Sequence, residues 1–485
     1  MTRFLWLGFV LFVYLICSGC GDTFRPIIIP NPPTFPDPKA AHTVVSINDN
    51  GTVVPGSAMV IDVSGDSAVS LADVNLAPVH AAQQSASEVL VVNQAVTGLT
   101  PPPTGCLVTV NNQVLNVCPS ITKLNFNSIL QISSTTTITL PPSSAANFVA
   151  VAPSDTTAYV TLPSYVPDPV NFPNVVVPSV GVVDTQGNRL VATIPVGKNP
   201  VAIAVTPNRS KLYVANQGAS SISAFNTLDR SARTIIGSFN APLWVIARSD
   251  SQRVYVLNGN GVVSTIDTTS TAPSDTVIDA SVNAPLAAYM LYDGHLNRLY
   301  IPGGSQLTVL DVSPSIPQVL GGGPITIAMV APSSRGTSDP CSSTTAQTGL
   351  TVAAVAALPD GSRAYVGAYY EDSNNNICPQ VTVIDARSYT VRSSTAVPGF
   401  PDATIFGSLY YVPACTTTRF RFTMAAGGDS SRAYLASCDG GSVKIIDTTN
   451  DTYIQNLPAP IGARPPIPPN LQNPPQNPVF LFAGP

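Results

Sequence analysis

The sequence predicts an all-β fold: a seven-bladed β-propeller of four-stranded antiparallel blades, with eight blades as the alternative count. Three observations predict it. The 485 residues include 47 prolines and 33 glycines, which break helices, amid abundant Val, Thr and Ser, which suit strands and turns. A unit of near-constant length recurs through the middle of the chain. Each unit holds three or four short apolar segments separated by polar turns.

Composition narrows the function classes. Charged residues make up 10 % of the chain, against about 25 % in typical soluble domains. The net charge is −5 and no basic stripe exists to neutralise phosphates, so nucleic-acid binding is not expected. The nearest basic and aromatic cluster, Arg419, Phe420, Arg421 and Phe422, alternates charge with ring and reads as a half-buried strand.

The repeat is clearest in NPVAIAVTPNRSKLYVANQGASSISAFNTL, APLWVIARSDSQRVYVLNGNGVVSTIDTT and APLAAYMLYDGHLNRLYIPGGSQLTVLDVS. Their prolines, Pro200, Pro242 and Pro285, are 42 and 43 residues apart. Lys211, Arg253, Arg298, Arg363 and Arg432 each precede a Tyr by two, and Thr157 stands in the same place before Tyr159. Glu88-Val89-Leu90-Val91 is a degenerate copy, which brings the anchors to seven. Third strands end at Asp184, Asn226, Asp267, Asp311, Asp385 and Asp447. Ser57 to Val63 looks like a third strand without an anchor strand before it, either closing the ring or belonging to an eighth blade. A four-stranded sheet cannot bury both faces alone; stacking copies around an axis buries them.

These residues resemble the YVTN repeats of bacterial and archaeal surface proteins. The phrases TIPVGKNPVAIAVTPNRSKLYVAN and VTVIDARSYTV carry the resemblance, with LYVAN at 212–216 the closest match and VYVLN, LYIPG, AYVGA and AYLAS as drifted copies. It covers roughly residues 140–450. It implies a seven-bladed propeller and no single activity.

The ends read differently. Residues 1–20 form an export signal: Arg3, an apolar run from Phe4 to Ile16, then Cys17-Ser18-Gly19-Cys20. Small residues before Cys20 resemble a lipobox, which makes Cys20 the lipid attachment site and the membrane a partner. Gly21 after it favours sorting to the outer membrane over retention at the inner one. Residues 21–41 are a Pro-rich tether able to span roughly 60 Å at about 3.1 Å per residue. The propeller is expected over 42–462 and a Pro-rich tail over 463–485, whose Val479 to Phe482 is apolar enough to dock.

Six cysteines remain: Cys106, Cys118, Cys341, Cys378, Cys415 and Cys438. In an oxidising compartment they are disulfide candidates, with nearest-neighbour pairing preferred. No Cys-x-x-Cys or Cys/His spacing points to a metal, and no cofactor is expected.

Chemistry-bearing candidates are few. The repeated Arg-x-Tyr reads as blade structure. His42, His80 and His295 are too scattered for a triad, and His295 reads as a solvated turn residue. Tyr369, Tyr370, Glu371 and Asp372 open a distinctive insertion that reads as a stapled surface hairpin, in its functional version a ligand-contacting loop with two exposed tyrosines. Asp372, Asn374 and Asn376 begin like a calcium loop, but Ile377 stands where Gly is needed. Gly321-Gly322-Gly323 lacks the Lys-Ser/Thr of a phosphate loop. The expected function is that of a monomeric binding scaffold for a protein, glycan or peptide at the cell envelope. The alternatives are a lactonase-like hydrolase, which needs acid groups converging on the axis, and a structural envelope component.

Overall fold

In a computed structural model, the described residues are 42–484, apart from 52–53, 95–105, 111–112, 143, 154, 169–170, 173, 338, 343, 398–414, 416–420 and 461–474. The export signal, Cys20 and the tether lie outside them.

Among the described residues the strands form eight blades: five are separate four-stranded sheets, two are joined edge to edge into one sheet of eight strands, and one carries an extra short strand; in all but one the strands follow chain order from the inner to the outer. Blade 2 comprises Pro78–Ser85, Glu88–Asn93, Ser120–Phe126 and Ile132–Thr139. Blades 3 to 8 follow, their inner strands at Val149–Val151, Pro200–Val205, Trp244–Ala247, Leu291–Asp293, Thr351–Ala357 and Phe422–Ala426. Blade 1 is composite: Thr43–Asp49, Ser57–Asp62 and Ser67–Asp73 take the three outer places, and Asn477–Ala483 supplies the innermost strand. Among the described residues the blades number eight rather than seven, and strand pairing continues past 462 as far as Ala483. In the composite blade, Val45 stands where the other blades carry their anchor, because Thr43 pairs with Asp62 as Arg253 pairs with Asp267. An anchor count misses it.

Seven clusters of buried side chains join every sheet to the next, from blades 1 and 2 around to blades 8 and 1. The ring is closed. The anchors Tyr213, Tyr255, Tyr300, Tyr365 and Tyr434 are fully buried at these interfaces. The basic residue two places before each anchor reaches the third turn of the following blade. Lys211 donates to the Thr268 carbonyl at 2.6 Å, Arg298 to that of Ala386 and Arg363 to that of Thr448. Arg432 closes the circuit with both carboxylate oxygens of Asp66 at 2.9 Å. Third strands end on Asp residues whose side chains accept turn N–H groups, as Asp267 does from Thr269 and Asp447 from Thr449.

Alternating strand direction gives the disc two unlike faces. First-to-second and third-to-fourth connections lie on one face and are short. Second-to-third and blade-to-blade connections leave from and return to the other, and the long insertions all start and end there. The three disulfides, Cys106–Cys118, Cys341–Cys378 and Cys415–Cys438, lie on that face too. Both ends of the ring meet on the short-turn face, where the Gly484 N–H donates to the Thr43 carbonyl at 2.9 Å.

Candidate functional site

The inner strands surround the axis, and their register places equivalent residues at one depth. In blade 5, Ile246 pairs with the anchor Tyr255 and Trp244 lies two residues toward the loop face. The same depth is occupied by Phe480, His80, Phe148, Ala202, Tyr289, Ala354 and Thr423 in the other blades. Five of the eight blades thus place a ring there, and the rings touch in succession. His80 lies 4.6 Å from Phe480 and stacks on Phe148 at 3.9 Å. Phe148 meets the edge of Trp244 at 5.3 Å, in front of the small Ala202, and Trp244 meets Tyr289 at 5.9 Å. Offset and edge-to-face contacts of this kind favour one another electrostatically. The Tyr289 hydroxyl accepts the Val355 N–H at 2.6 Å, which ties the end of the arc to blade 7. Burial raises the Tyr289 pKa, so the phenol stays protonated.

Blades 7 and 8 place Ala354 and Thr423 at this depth and leave space. An axial cavity of about 380 Å³ fills it. Trp244, Tyr289, Phe480 and Phe482 form its aromatic wall; Ala356, Ala357, Met424, Ala425 and Ala426 form the opposite one. Only Trp244, Tyr289 and Thr423 bring nitrogen or oxygen in their side chains, and no lining residue is charged. The lining reaches Pro359 in the first turn of blade 7 and the exposed Ala483, so the cavity opens toward the short-turn face. Its size matches small-molecule sites, which span about 300–1,000 Å³.

The sequence candidates lie elsewhere. Tyr369 and Tyr370 are not both exposed: they sit on the strand Arg363–Glu371, which alternation turns to opposite faces. Tyr370 is fully buried beneath the Arg335 guanidinium, while Tyr369 packs edge-on to Phe422 with Arg421 over its ring. Glu371 pairs with Arg421 at 3.1 Å. Asp372 is fully buried, its carboxylate accepting Thr344, Asn376 and two backbone N–H groups. That cage occupies both oxygens of the Asp372 carboxylate. Asp372 does lie beside Cys341 and Cys378, but their sulfurs are joined. His295 is exposed in a turn.

Among the described residues two carboxyls have raised pKa values, Asp293 and Asp439, each through burial. Neither lines the cavity. They also lie on opposite faces, Asp293 at the end of an inner strand and Asp439 in a second-to-third turn, so they cannot act as a pair. Sequence reading missed the aromatic arc, yet a signal exists. Phe148, Trp244 and Tyr289 each stand eleven residues before an anchor Tyr.

No family model matches the chain, and no curated protein matches it in sequence. Among solved structures, it is similar to a functionally unknown protein from Desulfotomaculum acetoxidans, 10 % identical, with 86 % of this chain and 95 % of that one covered at a TM-score of 0.50. It is also similar to the dihydro-heme d1 dehydrogenase NirN in complex with DHE, 12 % identical, with 90 % and 76 % covered at a TM-score of 0.50. At these identities the likeness concerns the fold alone, which is β-propeller-like.

Proposed function

We propose that this chain is a cell-envelope binding protein whose axial cavity takes a small apolar ligand. The observation that carries the reading is the cavity itself: enclosed by an arc of aromatic rings on one side and by alanines on the other, with no charged group in its lining. Apolar walls with few polar groups are what ligand pockets are made of. The loop face, with its stapled insertions, remains the surface where a protein partner would dock. A hydrolase needs acid groups at the axis, and the lining holds none, so binding is preferred to hydrolysis.

The envelope setting belongs to the same proposal. The chain is read as an exported, monomeric lipoprotein of YVTN-type repeats, acylated at Cys20 and sorted to the outer membrane. The signal-like residues 1–20 support this, as do three disulfides, which persist in oxidising compartments.

Titration of the mature chain with anilinonaphthalene sulfonate tests the binding reading. Trp244 is the only tryptophan besides Trp6, which leaves with the signal. Saturable energy transfer from Trp244 to a single bound probe is expected, weakened by Ala357→Leu, which narrows the cavity. A native chain that binds no probe, or binds it equally well in the variant, refutes the reading.

A further inference from the structure

We infer that the cavity is filled from a lipid bilayer, through the short-turn face, by the hydrocarbon chain of a membrane lipid. The inference rests on the binding reading above and names its ligand class.

The first support is chemical. A glycan, a nucleotide or a peptide backbone would bring many hydrogen-bonding groups into a lining whose side chains offer only those of Trp244, Tyr289 and Thr423. The Tyr289 hydroxyl is already held by Val355 at 2.6 Å. Polar groups buried without partners are costly, whereas methylene groups lose nothing in such surroundings. A ligand of that kind is scarce in water and abundant in membranes.

The second support is geometric. The aromatic arc bounds the cavity on the loop-face side, and Pro359 and Ala483 lie at its other end. That end is the short-turn face, where Thr43 meets Gly484. The stretch joining the first strand to Cys20 therefore departs from the face that carries the mouth. An acyl anchor on Cys20 would thus tether the disc by the face that carries the mouth, which favours presenting that face to the bilayer. The three disulfides lie on the other side, away from the lipid.

The test uses the mature, lipidated chain reconstituted into phosphatidylethanolamine–phosphatidylglycerol vesicles with acyl chains brominated at mid-length. Bromine quenches indole emission on contact. Loss of Trp244 emission is expected relative to unbrominated vesicles. Ala483→Phe at the exposed mouth and Ala357→Leu within the cavity are each expected to restore it while the fold, followed by circular dichroism, is kept. Equal emission in both kinds of vesicle, with anilinonaphthalene sulfonate still bound, overturns the lipid inference and leaves the binding reading standing. Quenching that persists in both variants overturns it too, because Trp244 would then merely lie close to the membrane. A chain that responds to neither lipid nor probe overturns both readings.

Discussion

Replacing Asp275 with Asn tests how the blades are riveted together. Asp275 lies in Ser274–Asn283, the outer strand of blade 5, and its carboxylate is fully buried. It accepts Lys211 Nζ at 2.8 Å, Arg233 Nε and Nη2 at 2.9 Å and the Tyr213 hydroxyl at 2.9 Å, all from blade 4. Alongside, Ala232–Ile236 pairs in parallel with Ser274–Thr276, merging two blades into one eight-stranded sheet. Asn keeps the shape and removes the charge, leaving two cations, 9 % and 3 % exposed, without their counter-ion. Breaking a buried pair from one side costs about 3–5 kcal/mol, which corresponds to amides exchanging roughly a hundred to several thousand times faster in the two joined strands. Hydrogen exchange followed by mass spectrometry reads this directly. Burial pushes the Asp275 pKa up, but the bonds from Arg233, Lys211 and Tyr213 outweigh it and hold the carboxyl below its usual range. The folded group thus keeps its charge to lower pH than the unfolded one. Its contribution is complete above the ordinary carboxylate value of about 4 and is lost as pH falls through the folded value. Exchange corrected for intrinsic rates should accelerate there in the wild type and not in the variant. Exchange in Asp275→Asn within about threefold of wild type, less than 1 kcal/mol, would refute the reasoning.

Arg432→Ala unlatches blade 8 from blade 1 by removing both bonds to Asp66, at a cost of about 1–3 kcal/mol, read as a lower urea midpoint. Deleting residues 477–485 removes the innermost strand of blade 1 and bares Val45 and Ile47; a chain that aggregates or binds anilinonaphthalene sulfonate at many sites is expected, and a soluble, cooperatively melting product would contradict the composite blade. Changing Cys341 and Cys378 together to Ser opens a cross-link spanning 37 positions and should cost about 2–4 kcal/mol, seen as faster proteolysis of the loop face with the short-turn face unaffected.

The repeat was legible because its anchors do one job in several blades. A Tyr buried between sheets and a cation two places earlier, reaching the next turn, must recur at the blade period. The cysteines pair as nearest neighbours because each pair staples local excursions on a single face. Blade 1 was only half legible, through Ser57 to Val63 read as a third strand: its inner strand comes from Asn477–Ala483 and its anchor position holds Val45, so spatial closure decides between the two counts. The Tyr369–Asp372 segment reads as a stapled surface hairpin, which Arg363–Glu371 and Ile377–Asp385 form, but in its functional version both tyrosines are exposed. The strand in fact runs through Glu371, and alternation buries Tyr370. The axial cavity depends on which blades lack a ring at one depth. The eleven-residue offset is visible in the sequence, but convergence of those rings on an axis is a property of the closed ring.

Native mass spectrometry of the mature chain, purified from membranes in mild detergent, tests the central claim most directly. The lipidated chain is expected to carry one further hydrocarbon-bearing molecule, released by organic solvent and absent from Ala483→Phe. A chain that arrives at its bare lipidated mass, and stays there after incubation with membrane lipid extract, would contradict it.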